Sequence, residues 1–480
     1  MEKKNSKKAF FNEATLSLLK LIHFLVILAL FICSWFLFRY EGIPNFAEKG
    51  FRYNYFVIIG YGVLVLFFYK TYNGYLLGFS RTRTLLFAQA MSQFFSLALI
   101  YFVVSMAWNR FDNPLVFLGC FLVQIVCDLV WSCLANWFYF RLNPPKSAVL
   151  IYRNAIDRKR IGYIEERTIG RLYKIEKEIK HDGSFTEIRD QIENFDAIFV
   201  TGVNSRCRNG ILKYCQDNSV PGFFLPHVGD VIMQQAEHIQ AFDSPIMYVS
   251  RAVQGLGFAV LKRAFDIIAS LIGLIILSPI LLITALCIRL YDRGPAIYKQ
   301  VRLTKDGRKF KIWKFRSMRV DAEKDGVARL SSGDKDDRIT PIGRFIRKCR
   351  LDELPQLWNI LRGDMSIVGP RPERPEIAEQ YCRTMPEFML RLQVKAGLTG
   401  YAQIYGKYNT DPYEKLEFDL MYIKDMSVLT DLRLMFATAA ILFLPKSTEG
   451  IAEGQTTAMG TENAKETPEG ESVTDERASK

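Results

Sequence analysis

Four long apolar runs crowd the first 140 residues of this 480-residue chain, at about 18 to 38, 55 to 69, 85 to 108 and 115 to 140. A helix rising 1.5 Å per residue needs about 20 apolar residues to cross the hydrocarbon of a bilayer. Three of the runs have that length, and the second reaches it by borrowing Phe51 to Tyr53. Hydrocarbon offers no partner to a backbone N–H or C=O, so spans of this kind are helices, and residues 1–145 are expected to form a bundle of four. No cleavage-site pattern of small residues follows the first run, which reads as a retained span. Lys3, Lys4, Lys7 and Lys8 precede span one, Lys70, Arg81 and Arg83 lie between spans two and three, and Arg141 and Lys146 follow span four. Of the opposite loops, one mixes Glu41, Glu48, Lys49 and Arg52, and the other has Arg110 as its one base. Basic loops stay in the cytoplasm, so both ends of the bundle are expected there. Asp128, inside span four, is expected to make a polar contact with a neighbouring helix.

A fifth apolar run, about 264 to 288, carries Ser278-Pro279 at its centre, with Lys262 and Arg263 before it and Arg289 and Arg293 after it. Bases on both flanks argue against crossing. Proline removes one helical hydrogen bond, and a preceding serine can satisfy the freed carbonyl. The expectation is a broken, re-entrant helix with its break at Ser278 and Pro279, entering and leaving on the cytoplasmic face. A kinked spanning helix is the alternative.

A composition of 49% hydrophobic and 24% charged residues fits neither an ordinary soluble enzyme nor a purely embedded protein. Residues 146–250 supply part of the aqueous share. Short apolar strands at Ser147 to Tyr152, Phe195 to Thr201 and Gly222 to Leu225, with a helix from Ser205 to Gln216, predict a small α/β, Rossmann-like domain. The turn Tyr152-Arg153-Asn154-Ala155 lacks the glycines that let a pyrophosphate approach the backbone. A structural or dimer-forming role is therefore expected for this domain.

The net charge of +13 is local, because residues 289 to 350 hold 19 Lys and Arg against 8 Asp and Glu. Within them, Tyr298 to Val301 and Phe310 to Lys314 read as strands around the turn Lys305-Asp306-Gly307-Arg308. The four histidines lack metal-ligand spacing, the nine cysteines form no C-x-x-C pair, and no G-x-x-x-x-G-K-S/T occurs. Directly after the basic stretch comes Leu351-Asp352-Glu353-Leu354-Pro355-Gln356, read as a helix start with Pro355 in its first turn. Asp352 can be a simple N-cap. Two carboxylates facing free N–H groups among so many bases can also hold a divalent metal and a phosphate together. An ionised Asp352 is a competent nucleophile toward phosphorus.

Four motifs then coincide: Phe310 to Met318 (F-K-I-W-K-F-R-S-M), Asp352 to Gln356 (D-E-L-P-Q), Gly363 to Pro372 (G-D-M-S-I-V-G-P-R-P) and Gly397 to Gln403 (G-L-T-G-Y-A-Q). In this order, from about Lys262 to Lys446, the chain resembles the bacterial sugar transferase family. These are monotopic polyprenyl-phosphate hexose-1-phosphate transferases, and the four N-terminal spans resemble the long subtype. The resemblance implies an α-rich catalytic domain over 251–445, anchored by the re-entrant helix. It also implies transfer of a hexose-1-phosphate from a UDP-hexose to undecaprenyl phosphate with release of UMP, through an aspartyl-phosphosugar, at the start of surface polysaccharide synthesis. It further implies a multi-pass protein of the bacterial inner membrane with its catalytic domain cytoplasmic, a homodimer, and Mg2+ as cofactor. By the same likeness Asp352 is the nucleophile, Glu353 supports the metal with it, and Lys314, Arg316, Arg350 and Arg371 serve substrate phosphates. Asp419, Asp431, Gln403 and Lys407 are expected either to touch substrate or to serve structure, ion pairing with the basic stretch being one role for the two aspartates. Ala396 stands where the family usually has proline, and Lys407 where arginine is common, with loss of bidentate geometry.

The charge placement disfavours nucleic acid. A non-enzymatic scaffold whose basic surface binds anionic membrane lipid is the alternative, though it gives carboxylates in that zone no purpose. Residues 446–480, with 8 acidic and 4 basic residues, are expected to be a disordered acidic tail.

Overall fold

The computed structural model describes residues 2–42, 51–167, 171–234, 236–241, 244–251, 254–319, 338–406 and 411–442. The expected tail lies outside them. The chain divides into two compact units, Met1–Pro226 and His227–Lys480.

The first unit begins with helices Glu2–Gly42, Phe51–Thr71, Thr82–Ala107 and Leu115–Leu142. Each contains a segment long and apolar enough to cross a membrane. Their outward faces are apolar, with Phe56, Val103 and Leu134 exposed, while Gln89, Gln93, Gln124 and Asp128 are buried. This reverses the arrangement of a soluble bundle and suits one solvated by lipid. Asp128 makes the expected polar contact: its Oδ1 lies 3.0 Å from His23 Nε2 and accepts from Gln93 Nε2 at 2.9 Å. His23 Nδ1 lies 3.1 Å from the Tyr75 hydroxyl.

Beyond the bundle, β1 (Lys146–Tyr152), β2 (Tyr173–Lys180), β3 (Ala197–Thr201) and β4 (Gly222–Phe224) form a parallel sheet in the order β2-β1-β3-β4. Ala148 to Ile151 and Ala197 to Val200 are buried, as central parallel strands require. Helix Ser205–Asp217 starts where Asn204 accepts from the Cys207 N–H at 2.9 Å. β2 was not foreseen: it reads Tyr-Lys-Ile-Glu-Lys-Glu-Ile-Lys and buries Ile179 alone, the pattern of a charged edge strand.

The second unit is built against one helix, Leu256–Asp292, of 37 residues. It runs on through Pro279, so the expected break at Ser278-Pro279 is corrected to a continuous helix. Pro279 deprives the Ile275 carbonyl of its i+4 donor, and Ser278 Oγ donates to that carbonyl at 2.7 Å. The helix is tied down near its start. Lys262 Nζ is 2.5 Å from Asp431 Oδ2, and Arg263 donates to the Ile360 and Leu361 carbonyls at 2.7 and 2.8 Å. Asp266 Oδ1 accepts from Ser366 Oγ and the Ile367 N–H at 3.1 and 3.0 Å. Phe265, Ala269, Leu274 and Leu277 pack on the main core of this unit, whose members include Leu357, Ile360 and Met365. Leu281, Ala285 and Ile288 pack on a second cluster with Phe315, Ile346 and Leu351. The opposite face, with Ile275, Leu282 and Leu290, is exposed and apolar.

Two further features position the site. Strands Ile297–Leu303 and Lys309–Phe315 pair as the expected antiparallel hairpin, its turn placing Asp306 and Gly307 at φ 58° and 74°. Strands Ser366–Val368 and Gly397–Thr399 pair in parallel and bring two of the motifs together. There the Gly397 N–H donates to the Pro370 carbonyl and the Gly369 N–H to the Thr399 carbonyl, both at 2.8 Å. A Cβ on Gly397 would lie 2.1 Å from Gly369 N, so only glycine permits this backbone crossing.

Candidate active site

Helix Pro341–Lys348 ends in Arg347 and Lys348, and the chain reverses at Arg350, whose φ of 53° is left-handed. That conformation costs a residue with a Cβ about 1–2 kcal/mol. A 3₁₀ turn, Leu351–Glu353, follows, and only then helix Gln356–Arg362 with Pro355 at its N-cap. The expectation that Asp352 and Glu353 stand at the N-terminal end of that helix, facing its free N–H groups, is therefore corrected to a separate 3₁₀ turn before it. Their electrostatics come from neighbouring cations rather than from free helix N–H groups.

Glu353 is surrounded. Its Oε1 accepts from Arg371 Nη2 at 3.0 Å and lies 3.5 Å from Lys314 Nζ, and its Oε2 is 4.0 Å from Arg350 Nη1. Burial alone would raise its pKa, but Arg371, Lys314 and Arg350 outweigh burial and hold it well below the usual carboxylate range. The Lys314 ammonium is pushed down to about 8 by burial, with Glu353 opposing.

Asp352 differs although it is the next residue. Among the described residues none gives its carboxyl a hydrogen bond or an ion pair within 4.0 Å. Burial and then the Glu353 charge push it up to about 6, against the pull of Lys314, Arg347 and Arg371. The two adjacent carboxyls are therefore moved in opposite directions, Glu353 down and Asp352 up. Lys314 and Arg371, which meet Glu353, also line a cavity together with Arg302, Ile312, Gln356, Pro372 and Gly397.

The structure thus brings Lys314, Arg350, Asp352, Glu353 and Arg371 together. Arg316 stands apart: its N–H donates to the Ala296 carbonyl at 2.8 Å, and its buried Nη1 has no partner among the described residues. Asp419 pairs with Arg391 at 2.7 Å, while Asp431 takes Lys262 and, at 2.9 Å, the Tyr422 hydroxyl. Both aspartates do form ion pairs, but with cations outside the basic stretch. Gln403 makes a local contact, Nε2 to the Leu398 carbonyl at 3.5 Å, and Lys407 lies outside the described residues. Ala396 donates its N–H to Thr304 Oγ1 at 3.2 Å, a bond that proline could not make. Sequence reasoning missed Arg347 and Arg302. The first was signalled by the basic run leading into Leu351, and the second by nothing in its strand.

Among the described residues no three His, Cys, Asp or Glu side chains cluster for a metal. Magnesium commonly uses one or two carboxylates and takes its remaining ligands from water and substrate phosphates. Adjacent Asp352 and Glu353 fit that limited demand.

A model of the bacterial sugar transferase family matches residues 258–445. The chain is 42% identical over 214 residues to the UDP-glucose:undecaprenyl-phosphate glucose-1-phosphate transferase of Klebsiella pneumoniae, a match covering 44% of each chain. It is 38% identical over 195 residues to the undecaprenyl-phosphate galactose phosphotransferase of Salmonella typhimurium, covering 38% of this chain and 40% of that one. The chain thus spans less than half the length of these two relatives. It is also 39% identical over 186 residues to the UDP-glucose:undecaprenyl-phosphate glucose-1-phosphate transferase of Caulobacter vibrioides, where the match takes 38% of this chain and 69% of the relative. All of the residues gathered around Glu353 fall inside the matched region, and the chain belongs to the bacterial sugar transferase family.

Proposed function

We propose that this protein transfers a hexose-1-phosphate from a UDP-hexose to undecaprenyl phosphate, releasing UMP, as the first membrane step of surface polysaccharide synthesis. The observation that carries the reading is the asymmetry of the carboxylate pair: Glu353 is tied to cations, two of which, Lys314 and Arg371, line a cavity, and Asp352 is left untied. Asp352 attacks the sugar-bearing phosphorus, the bond from that phosphorus to the UMP oxygen breaks, and an aspartyl-phosphosugar remains. An oxygen of the polyprenyl phosphate then attacks the same phosphorus and releases the Asp352 carboxylate. Lys314, Arg350 and Arg371 offset charge on the transferring group. Bound Mg2+, held by Asp352 and Glu353 with diphosphate oxygens, would supply further charge neutralisation.

The same reading puts the protein in the bacterial inner membrane as a homodimer, with the catalytic unit on the cytoplasmic side. Support for a re-entrant course of helix Leu256–Asp292 comes from its packing. Residues from Phe265 to Ile288 contact clusters of the same unit, as a helix that enters and leaves on one side of the bilayer would.

The test is UMP release in vesicles offered several UDP-hexoses. Release without lipid acceptor, with a trapped sugar-phosphate on Asp352, is expected. A purely lipid-binding scaffold would release none, and a direct transfer would release UMP only with the acceptor present.

A further inference from the structure

Behind Arg371 lies a second set of buried charges that the reaction above leaves unused. Arg391, in the 3₁₀ segment Pro386–Gln393, has a side chain only 2% exposed. Its Nη2 is 2.7 Å from Asp419 Oδ2 and donates to the Arg371 carbonyl at 2.9 Å, while its Nη1 is 3.6 Å from Glu373 Oε1. Arg302 meets the same stretch from the hairpin, with Nη1 donating to the Pro372 carbonyl at 3.2 Å and lying 4.0 Å from Glu373 Oε2. The Glu373 carbonyl accepts from the Leu303 N–H at 3.0 Å. Each of residues 371, 372 and 373 is therefore held from behind, and the side chain that projects from this strap is the one that meets Glu353.

A buried Arg–Asp pair is poor value as stability alone, since apolar residues of similar volume often do as well or better. What it supplies is direction: Nη2 meets the Asp419 carboxylate and the Arg371 carbonyl together, on a rigid guanidinium plane whose Nη1 faces Glu373, and a flexible lysine ammonium has no such plane to hold that one donor in place. We propose that Arg391, oriented by Asp419, is a positioning residue that fixes the Arg371 backbone and so sets where the Arg371 guanidinium stands against Glu353 and an incoming phosphate. This rests on the reaction proposed above.

The test uses the full chain in vesicles, reading UMP release and, separately, the affinity for UMP. Arg391→Lys is expected to lower kcat/KM by about 10- to 100-fold, mainly in kcat, because loosening by an ångström is enough for such losses. In an Arg371→Ala background the same change should cost less than twofold, since nothing remains to be positioned. Losses that multiply across the two sites would overturn the proposal, as would wild-type kcat in Arg391→Lys. Should Arg391→Lys fold poorly, the paired change Arg391→Met with Asp419→Leu restores a packed interior. It is expected to keep the thermal midpoint and still lose activity to the same degree, and full activity in it counts equally against the idea. Asp352→Asn separates the two claims: UMP release persisting there sinks the reaction course, whereas the coupling of Arg391 to Arg371 is read from non-additivity whichever group attacks.

Discussion

Each unit of the molecule buries ionisable side chains, and they do so in opposite ways. In the helical bundle the buried acid serves as a joint between helices: Asp128 Oδ1 meets His23 at 3.0 Å and accepts from Gln93 as well, while its Oδ2 has no hydrogen-bond partner among the described residues. In the second unit Glu353 takes Lys314, Arg350 and Arg371, while Asp352 beside it takes none within ion-pair distance among the described residues. Two carboxylates one residue apart are thereby driven to opposite ends of the titration scale, one well below and one up to about 6. Pairs of acids separated by their surroundings divide the labour of catalysis. An acid shared between helices marks a joint, and the lopsided arrangement marks a place waiting for a phosphate.

The strongest way to break this contrast is Asp352→Asn. It keeps the size of the side chain and removes the proposed nucleophile, so turnover should fall by about 10³-fold or more, with no trapped adduct. A variant retaining full turnover would place Asp352 among the structural acids. Next in size is Glu353→Gln, which strips Lys314 and Arg371 of their shared anion. Turnover should drop by about 10²-fold, as for loss of a group that orients the reacting one. Wild-type rates there would mean that the three cations organise themselves without Glu353.

The contrast was only partly legible in the sequence. Apolar length alone located all four helices of the bundle, because lipid imposes one demand on every residue of a span. Glycine-bearing motifs located the crossing at Gly369 and Gly397 without revealing its purpose, which is a backbone approach that any side chain would block. Lys314, Asp352, Glu353 and Arg371 were found through their motifs. The opposite shifts of the two acids were not legible, because they depend on which cation reaches which oxygen across a fold. The left-handed turn at Arg350, which separates Asp352 from the preceding helix, likewise has no glycine or asparagine to announce it. Arg391 and Arg302 escaped for the same reason: they act on a strap that is remote from both in sequence.

A smaller effect follows from pH. The reaction proposed above needs Asp352 ionised and Lys314 protonated. With the acid at about 6 and the ammonium at about 8, kcat/KM should rise with pH through the first value and fall through the second, about tenfold per unit on either limb. Glu353 stays ionised throughout and adds no limb. Lys314→Arg should remove the alkaline limb, since a guanidinium stays charged. A flat profile from pH 5 to 9 would show that neither group's ionisation matters.

The smallest expected effect on catalysis comes from the other side of the comparison. Replacing only one partner of the buried pair, His23→Leu or Asp128→Leu, leaves an uncompensated polar group in the bundle and should cost about 3–5 kcal/mol of stability. Replacing both should recover most of that loss, because two apolar side chains then face each other where a pair had been. Turnover per folded molecule should remain within about twofold of wild type in all three, since neither residue belongs to the set gathered around Glu353. Thermal unfolding in detergent combined with active-site titration reads both quantities on one sample. If the double replacement were as stable as wild type but lost turnover, an acid shared between helices would no longer be a sign of a purely structural joint, and the bundle would have to be counted as part of the catalytic machinery.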